Sequence, residues 1–303
     1  HDEIGRKPLG GGSPRDRPGE GAAIGRPGTP KEPGTMAKRR HSPTTARRPR
    51  QGLLATCVTV GLLGPPLVGV LAAAPASAGV AMLTPIEVTT TEDVVDPADG
   101  LLSLREAVDQ ANADGLDNEI VLADEATYVL DECGGGLDEN VNVGGDLDHT
   151  EDRFFRLLGG GSTIQQTCNG ERVIHSWDPG APFELRDVRI TGGRTAGPGG
   201  GVMAGGSVSL RHAVVEGNVS GHVNGGGGVA ANLVAEIFGS TIRNNVAAGR
   251  GGGVRSNEYV GMNRSSVVGN SSGDTGGGVS AGTWTNTRSS TISGNRAAVA
   301  GGG

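Results

Sequence analysis

The chain has 303 residues, 56 of them glycine, only 3% aromatic residues and a formal net charge of −7. That composition leaves little from which to build a conventional globular core, whereas a repeat fold escapes the limit because each unit buries its face only against its neighbours. Net acidity excludes general nucleic-acid binding, which needs a basic footprint, although acids crowd between Glu87 and Asp152 while arginines outnumber acids beyond Leu185, so attraction of the later part to acidic polymers stays open.

Residues 1–35 are rich in Gly, Pro, Arg and Glu without apolar periodicity and read as a disordered or non-native upstream extension. Residues 36–78 read as a signal peptide. Lys38, Arg39, Arg40, Arg47, Arg48 and Arg50 form the basic region, 52–74 are apolar, and Ala76-Ser77-Ala78 is an A-x-A-like cleavage site. Pro65-Pro66 and the small-residue exit favour cleavage over a membrane anchor. The expectation is a secreted or cell-surface protein starting at Gly79, with no membrane span after cleavage. Cys133 and Cys168 then remain; outside the cytoplasm they can form a disulfide, and two free thiols is the alternative.

Residues 79–135 read as an N-terminal cap. IEVTTT alternates like a strand, the acidic loop EDVVDPADG follows, and LLSLREAVDQANADG predicts a helix over 103–113. Ser103 and Glu106 form a capping box at its start. Leu104, Val108 and Ala111 share one face, and NEIVL and ATYVL are two further strands. Such a helix ahead of a β-solenoid would cover the open apolar end of the stack. The stretch VTTTEDVVDPADGLLSLREAVDQANADGLDNEIVLADEATYVL resembles the CSLREA domain of secreted bacterial right-handed β-helix proteins, with Leu102 in the place of the family's leading cysteine. Residues 136–184 resemble the linking, irregular rungs of such proteins. The resemblance implies an exported β-helix and carries little about chemistry.

From Leu185 to Gly303 the chain repeats about every 25 residues, the signature of a solenoid. LRDVRITGG, LRHAVVEGN, IFGSTIRNN, MNRSSVVGN and TRSSTISGN align, and GGGV recurs at 199–202, 226–229, 251–254 and 276–279. Aligned on Gly193, Asn218, Asn245, Asn270 and Asn295, the inward columns are led by Ile190, Val188, Leu185 and Phe183, with Val202 opening a third strand. The pattern predicts an all-β, right-handed parallel β-helix with three short strands per coil and a short N-terminal capping helix. Asn218, Asn245, Asn270 and Asn295 are read as a structural ladder at a bend where asparagine tolerates left-handed backbone. The chain stops inside a coil, which reads as truncation of the repeats or as an N-terminal fragment of a larger surface protein.

Catalytic candidates are few. Acids in the repeats fall in different columns, so no carboxylate pair stacks on adjacent coils as a hydrolase would need. Asp187 and His212 share a column and are the remaining candidates, the histidine as a base. Glu216 and Arg243 share another and predict a surface ion pair. His149 and His175 look isolated. The acidic loop from Glu92 to Asp99 offers carboxylates to calcium, with a solvated loop as the alternative; no metal site or other cofactor is indicated. Trp177, Tyr259 and Trp284 are candidates for stacking on sugar rings. A non-catalytic adhesin or binding scaffold, with a polysaccharide or a host or cell-surface glycan as partner, therefore leads. The alternative is a lyase or glycoside hydrolase acting on acidic glycans.

Overall fold

The computed structural model describes residues 83–133, 142–180 and 182–302. The upstream extension and the signal-like segment lie outside the described residues, as does the stretch 134–141.

The described chain is a parallel β-helix. Strands stack in sheets of eight, seven, six and five members, and every pairing runs between successive coils in parallel. We name the sheets in the order that one coil visits them. Phe183–Arg186 belongs to sheet I, Arg189–Thr191 to sheet II, Arg194–Thr195 to sheet III and Val202–Ala204 to sheet IV; Val208–Arg211 then re-enters sheet I. The three predicted rows are sheets I, II and IV. Sheet III is a fourth row that periodicity does not reveal, because its strands are two residues long and too short to alternate.

Register follows the repeat alignment. Phe183, Val208, Ala235 and Val260 oppose one another, as do Leu185, Leu210, Ile237 and Met262. All are buried in one apolar core that runs from Ile86 to Val267. Part of the segment that reads as irregular in sequence is regular in structure: Phe155–Leu158 pairs with Asn118–Val121 on one side and Phe183–Arg186 on the other.

Two ladders line the corners. Asn218 Nδ2 donates to Asn245 Oδ1 at 3.1 Å, Asn245 to Asn270 at 3.0 Å and Asn270 to Asn295 at 3.0 Å. Each of these oxygens also accepts the backbone N–H of the preceding asparagine. The left-handed position is not the asparagine itself, as predicted, but the residue before it: Gly217, Asn244, Gly269 and Gly294 have positive φ. That placement turns the chain first and leaves the amide aimed inward along the stack. The second ladder is of serine hydroxyls: Ser240, Ser265 and Ser290 Oγ accept the N–H of Ala213, Ser240 and Ser265 at 3.0, 3.2 and 3.1 Å. The third glycine of each cluster is coupled to the amide ladder. A Cβ on Gly228 would stand 2.8 Å from Asn245 Nδ2 and 2.8 Å from Gly253 O, closer than non-bonded atoms approach.

The helix runs Leu104–Asp114, with Ser103 as N-cap, both halves of the capping box made with Glu106, and Gly115 closing it in the left-handed conformation. Leu104, Ala107, Val108 and Ala111 join the same core, against the first strands of sheets I and IV. The first strand is Thr84–Glu87, earlier than IEVTTT suggests. Beyond Val88 the chain turns away: Thr89 donates its N–H to Leu102 O at 2.8 Å rather than to the sheet.

Arg105 is the hub of this cap. Its side chain is fully buried and donates to Asp93 at 2.5 and 3.0 Å and to the carbonyls of Gly145, Glu132 and Asp146 at 2.8–3.3 Å. Asp93 also accepts the N–H groups of Asp131 and Glu132. The acidic loop thus supplies a buried counter-ion, and removing either partner would strand a charge at a cost of roughly 3–5 kcal/mol. Cys133 and Cys168, 5.4 Å apart at Cα, are joined as a disulfide beside this hub.

Candidate functional site

The outer face of sheet I carries chemistry that the inward columns do not. Its central column reads Glu119, Arg156, Glu184, Ser209, Glu236, Gly261, Asn286 on successive coils. Arg156 bridges its two neighbours, donating to Glu119 at 2.8 Å and Glu184 at 2.9 Å. Partial burial opposes its charge, but those two carboxylates outweigh it and hold the guanidinium above its ordinary pKa. Glu184 also pairs with Arg186 at 2.9 Å and Arg211 at 3.0 Å. Glu236 takes no partner among the described residues.

Glu236 separates two cavities on this face. One, of about 260 Å³, is walled by Glu184, Ser209 and Glu236 with Phe154, Val208 and Val234. The other, of about 230 Å³, runs from Glu236 past Phe238 and Tyr259 to Asn263, Asn286 and Arg288. Tyr259 and Trp284 are register partners on adjacent coils, with ring centroids 4.3 Å apart. Gly261 makes room for the tyrosine: a Cβ there would stand 2.8 Å from its hydroxyl. Arg211 lies over the Phe238 ring at 4.6 Å, and Arg288 has no partner among the described residues. The result is a furrow with aromatic rings, two amides, an unpaired carboxylate and an unpaired guanidinium, a mixture suited to a ligand that is apolar on its faces and polar on its edges.

Asp187 and His212 do come together, at 3.4 Å. Both have positive φ and occupy the corner between sheets I and II, the column continued by Gly239, Arg264 and Ser289. They line a third cavity of about 320 Å³ with Arg189. Among the described residues no serine, cysteine or second carboxylate lines it, and the histidine is 71% exposed, so the pair sits largely in water. Nearby, Glu216 accepts from Arg243 at 2.5 Å and also from Arg189, which column reading had left out. Partial burial disfavours its charge, but the Arg243 hydrogen bond and the two arginine charges prevail and lower its pKa.

His175 is not isolated. It neighbours Asp148 on sheet IV, its Nδ1 3.3 Å from Asp148 Oδ1, and Asp146 completes a buried group with metal-like spacing. Arg172 is already there: its NH1 is 2.8 Å from His175 Nδ1 and 3.2 Å from Asp146 Oδ2. A guanidinium at that position supplies the positive charge that a metal would bring, so the cluster fits a buried ion-pair knot. Trp177 belongs to this knot. Its ring lies tilted against His175, centroids 4.2 Å apart, and it donates Nε1–H to Asp148 at 3.2 Å, which engages one edge of the candidate sugar platform in structure. His149 is buried with its ring on Phe155 at 4.6 Å.

Glu184 is the functional-face residue that the sequence columns missed. It stands one position ahead of Leu185, where the recognisable repeat begins; extending the column of Glu236 back two coils would have found it. No helix among the described residues is long and apolar enough to cross a membrane. Comparison with family models, curated proteins and solved structures finds no match.

Proposed function

We propose that this chain is a non-catalytic, exported β-helix scaffold whose sheet I outer face holds a glycan chain. The observation that carries the reading is the Tyr259–Trp284 pair, in register at 4.3 Å beside a furrow edged by Asn263, Asn286 and Arg288. Sugar rings present C–H faces to aromatic groups and hydroxyls to amides and charges, and a parallel stack repeats such contacts about every 4.8 Å. The disulfide and the signal-like leader support an extracellular setting, and the resemblance to CSLREA-domain proteins agrees with export.

Retention on a panel of insoluble and immobilised polysaccharides tests the reading. Trp284→Ala and Tyr259→Ala should each weaken retention about tenfold, the worth of one stacking contact, without lowering thermal stability by more than the loss of an exposed ring. Unchanged retention in both variants would sink it.

One observation favours hydrolysis. Glu184 and Glu236 flank one cavity two coils apart, roughly 9.6 Å along the stack at the usual strand spacing, near the wide separation that inverting hydrolases use. Glu184, however, is committed to Arg156, Arg186 and Arg211, which occupy the lone pairs a base needs. Reducing or unsaturated ends released from polyuronates or neutral glycans, and lost in Glu236→Gln, would overturn the binding reading in favour of an enzyme.

A further inference from the structure

We propose that the cavity beside Ser209 binds the ammonium group of an amine-bearing glycan, an inference that rests on the glycan-binding reading of sheet I and deepens it. The argument comes from the order of the central column. Glu119, Arg156 and Glu184 alternate acid, base, acid, with the arginine donating to both neighbours. The next step repeats the acids but not the base: Glu184 and Glu236 flank Ser209. Serine reaches neither as a cation would, and the cavity of about 260 Å³ opens where the longer side chain would lie. Among the described residues the Ser209 hydroxyl is buried without a hydrogen-bond partner, and Glu236 has none either. A cation placed there would complete the pattern that the fold itself builds one pair earlier.

The kind of cation follows from the walls. Calcium or magnesium wants six or more oxygens and zinc wants several histidines, thiolates or carboxylates, whereas only the Glu236 carboxylate is uncommitted, since Glu184 already serves three arginines. A compact ammonium needs only a few acceptors and tolerates the apolar side formed by Phe154, Val208 and Val234. The body attached to it must then pass Glu236 into the aromatic furrow, because that carboxylate is common to both cavities. An amino-sugar chain meets both demands. A lysine-bearing peptide meets the first alone, because the strand of Ser209 is paired on both sides and offers no free edge to a peptide backbone at the cavity.

Titration calorimetry of the full chain with glucosamine oligomers, against N-acetylated oligomers of equal length, decides the matter. The free-amine series should bind about tenfold tighter or better, as expected for a charge-assisted hydrogen bond. Glu236→Gln should erase the preference and leave thermal unfolding unchanged, because no partner within the described fold is lost. Ser209→Arg, which supplies the fold's own cation, should erase the preference too. Equal affinity for the two series in the unaltered protein overturns the ammonium site but not the glycan reading, provided retention on polysaccharide still depends on Trp284. Absence of binding to either series, together with no polysaccharide retention, overturns both. A lysine peptide that binds more tightly than the free-amine oligomers and competes with them overturns the choice of a glycan.

Discussion

His149 lies 2% exposed against Phe155, and burial pushes its pKa from 6.5 down to about 4, the charge of Asp178 recovering only part of the loss. The unfolded chain therefore takes up a proton below about pH 6.5, whereas the folded chain holds the ring neutral until about pH 4. Stability that is present at neutral pH is lost as pH falls through that window, by up to about 3 kcal/mol. Glu216 acts differently. Its folded pKa lies below the usual 4.5, so its contribution is lost only as pH falls below that value. Chemical denaturation at pH 7 and at pH 5 should show the histidine's share without that of Glu216, and His149→Phe, which keeps the stack, should flatten the difference. A variant as pH-sensitive as the parent would show that another group carries it. The same residue-level view explains Asp187 and His212. What placed them in one column was the corner's need for a left-handed residue in every coil, and polar side chains tolerate that conformation better than branched ones.

The elements show which features could be read from the chain alone. Inward columns, the asparagine ladder and the cap helix were legible because each repeats or carries a local signature. Sheet III was not, its strands being two residues long. Nor were the Arg105–Asp93 hub and the knot around Arg172, whose partners are brought together by coiling and leave no periodic trace. Trp177 illustrates the cost: its type suggested a sugar platform, while its hydrogen bond to Asp148 is invisible until Leu147–His149 and Ile174–Ser176 are paired. The ladder gives the element its sharpest test. Asn245 Nδ2 donates to Val215 O and Asn270 Oδ1, and its Oδ1 accepts from Asn218 Nδ2 and from the Asn218 N–H. Asn245→Ala leaves these buried groups unpaired, at about 1–3 kcal/mol each, so a total loss of roughly 3 kcal/mol or more is expected in urea unfolding. Asn245→Asp sets a buried carboxylate oxygen against Val215 O and Asn270 Oδ1 and should cost at least as much as the alanine change. A loss under 1 kcal/mol for the alanine variant would mean that water replaces the ladder.

At the scale of the molecule, coils pair only with the coils beside them, and the single core is continuous along the stack rather than centred. Stability in such an array is close to a sum of unit and nearest-neighbour terms, so a defect should loosen its surroundings and not the whole. The N-terminal end is anchored separately by the buried Arg105–Asp93 pair, the Cys133–Cys168 bridge and the helix. That arrangement gives Asn245→Ala a spatial signature as well as an energy. In hydrogen exchange, protection should fall for the strand amides around Asn218, Asn245 and Asn270, whose ladder bonds are lost. It should persist for Ala107–Ala111 in the helix and for Asn118–Val121 in sheet I, several coils away. A uniform fall in protection from the cap to the last coil would mean that the stack unfolds as one cooperative body, and the outer face of sheet I would then be a platform that a ligand stabilises throughout rather than coil by coil.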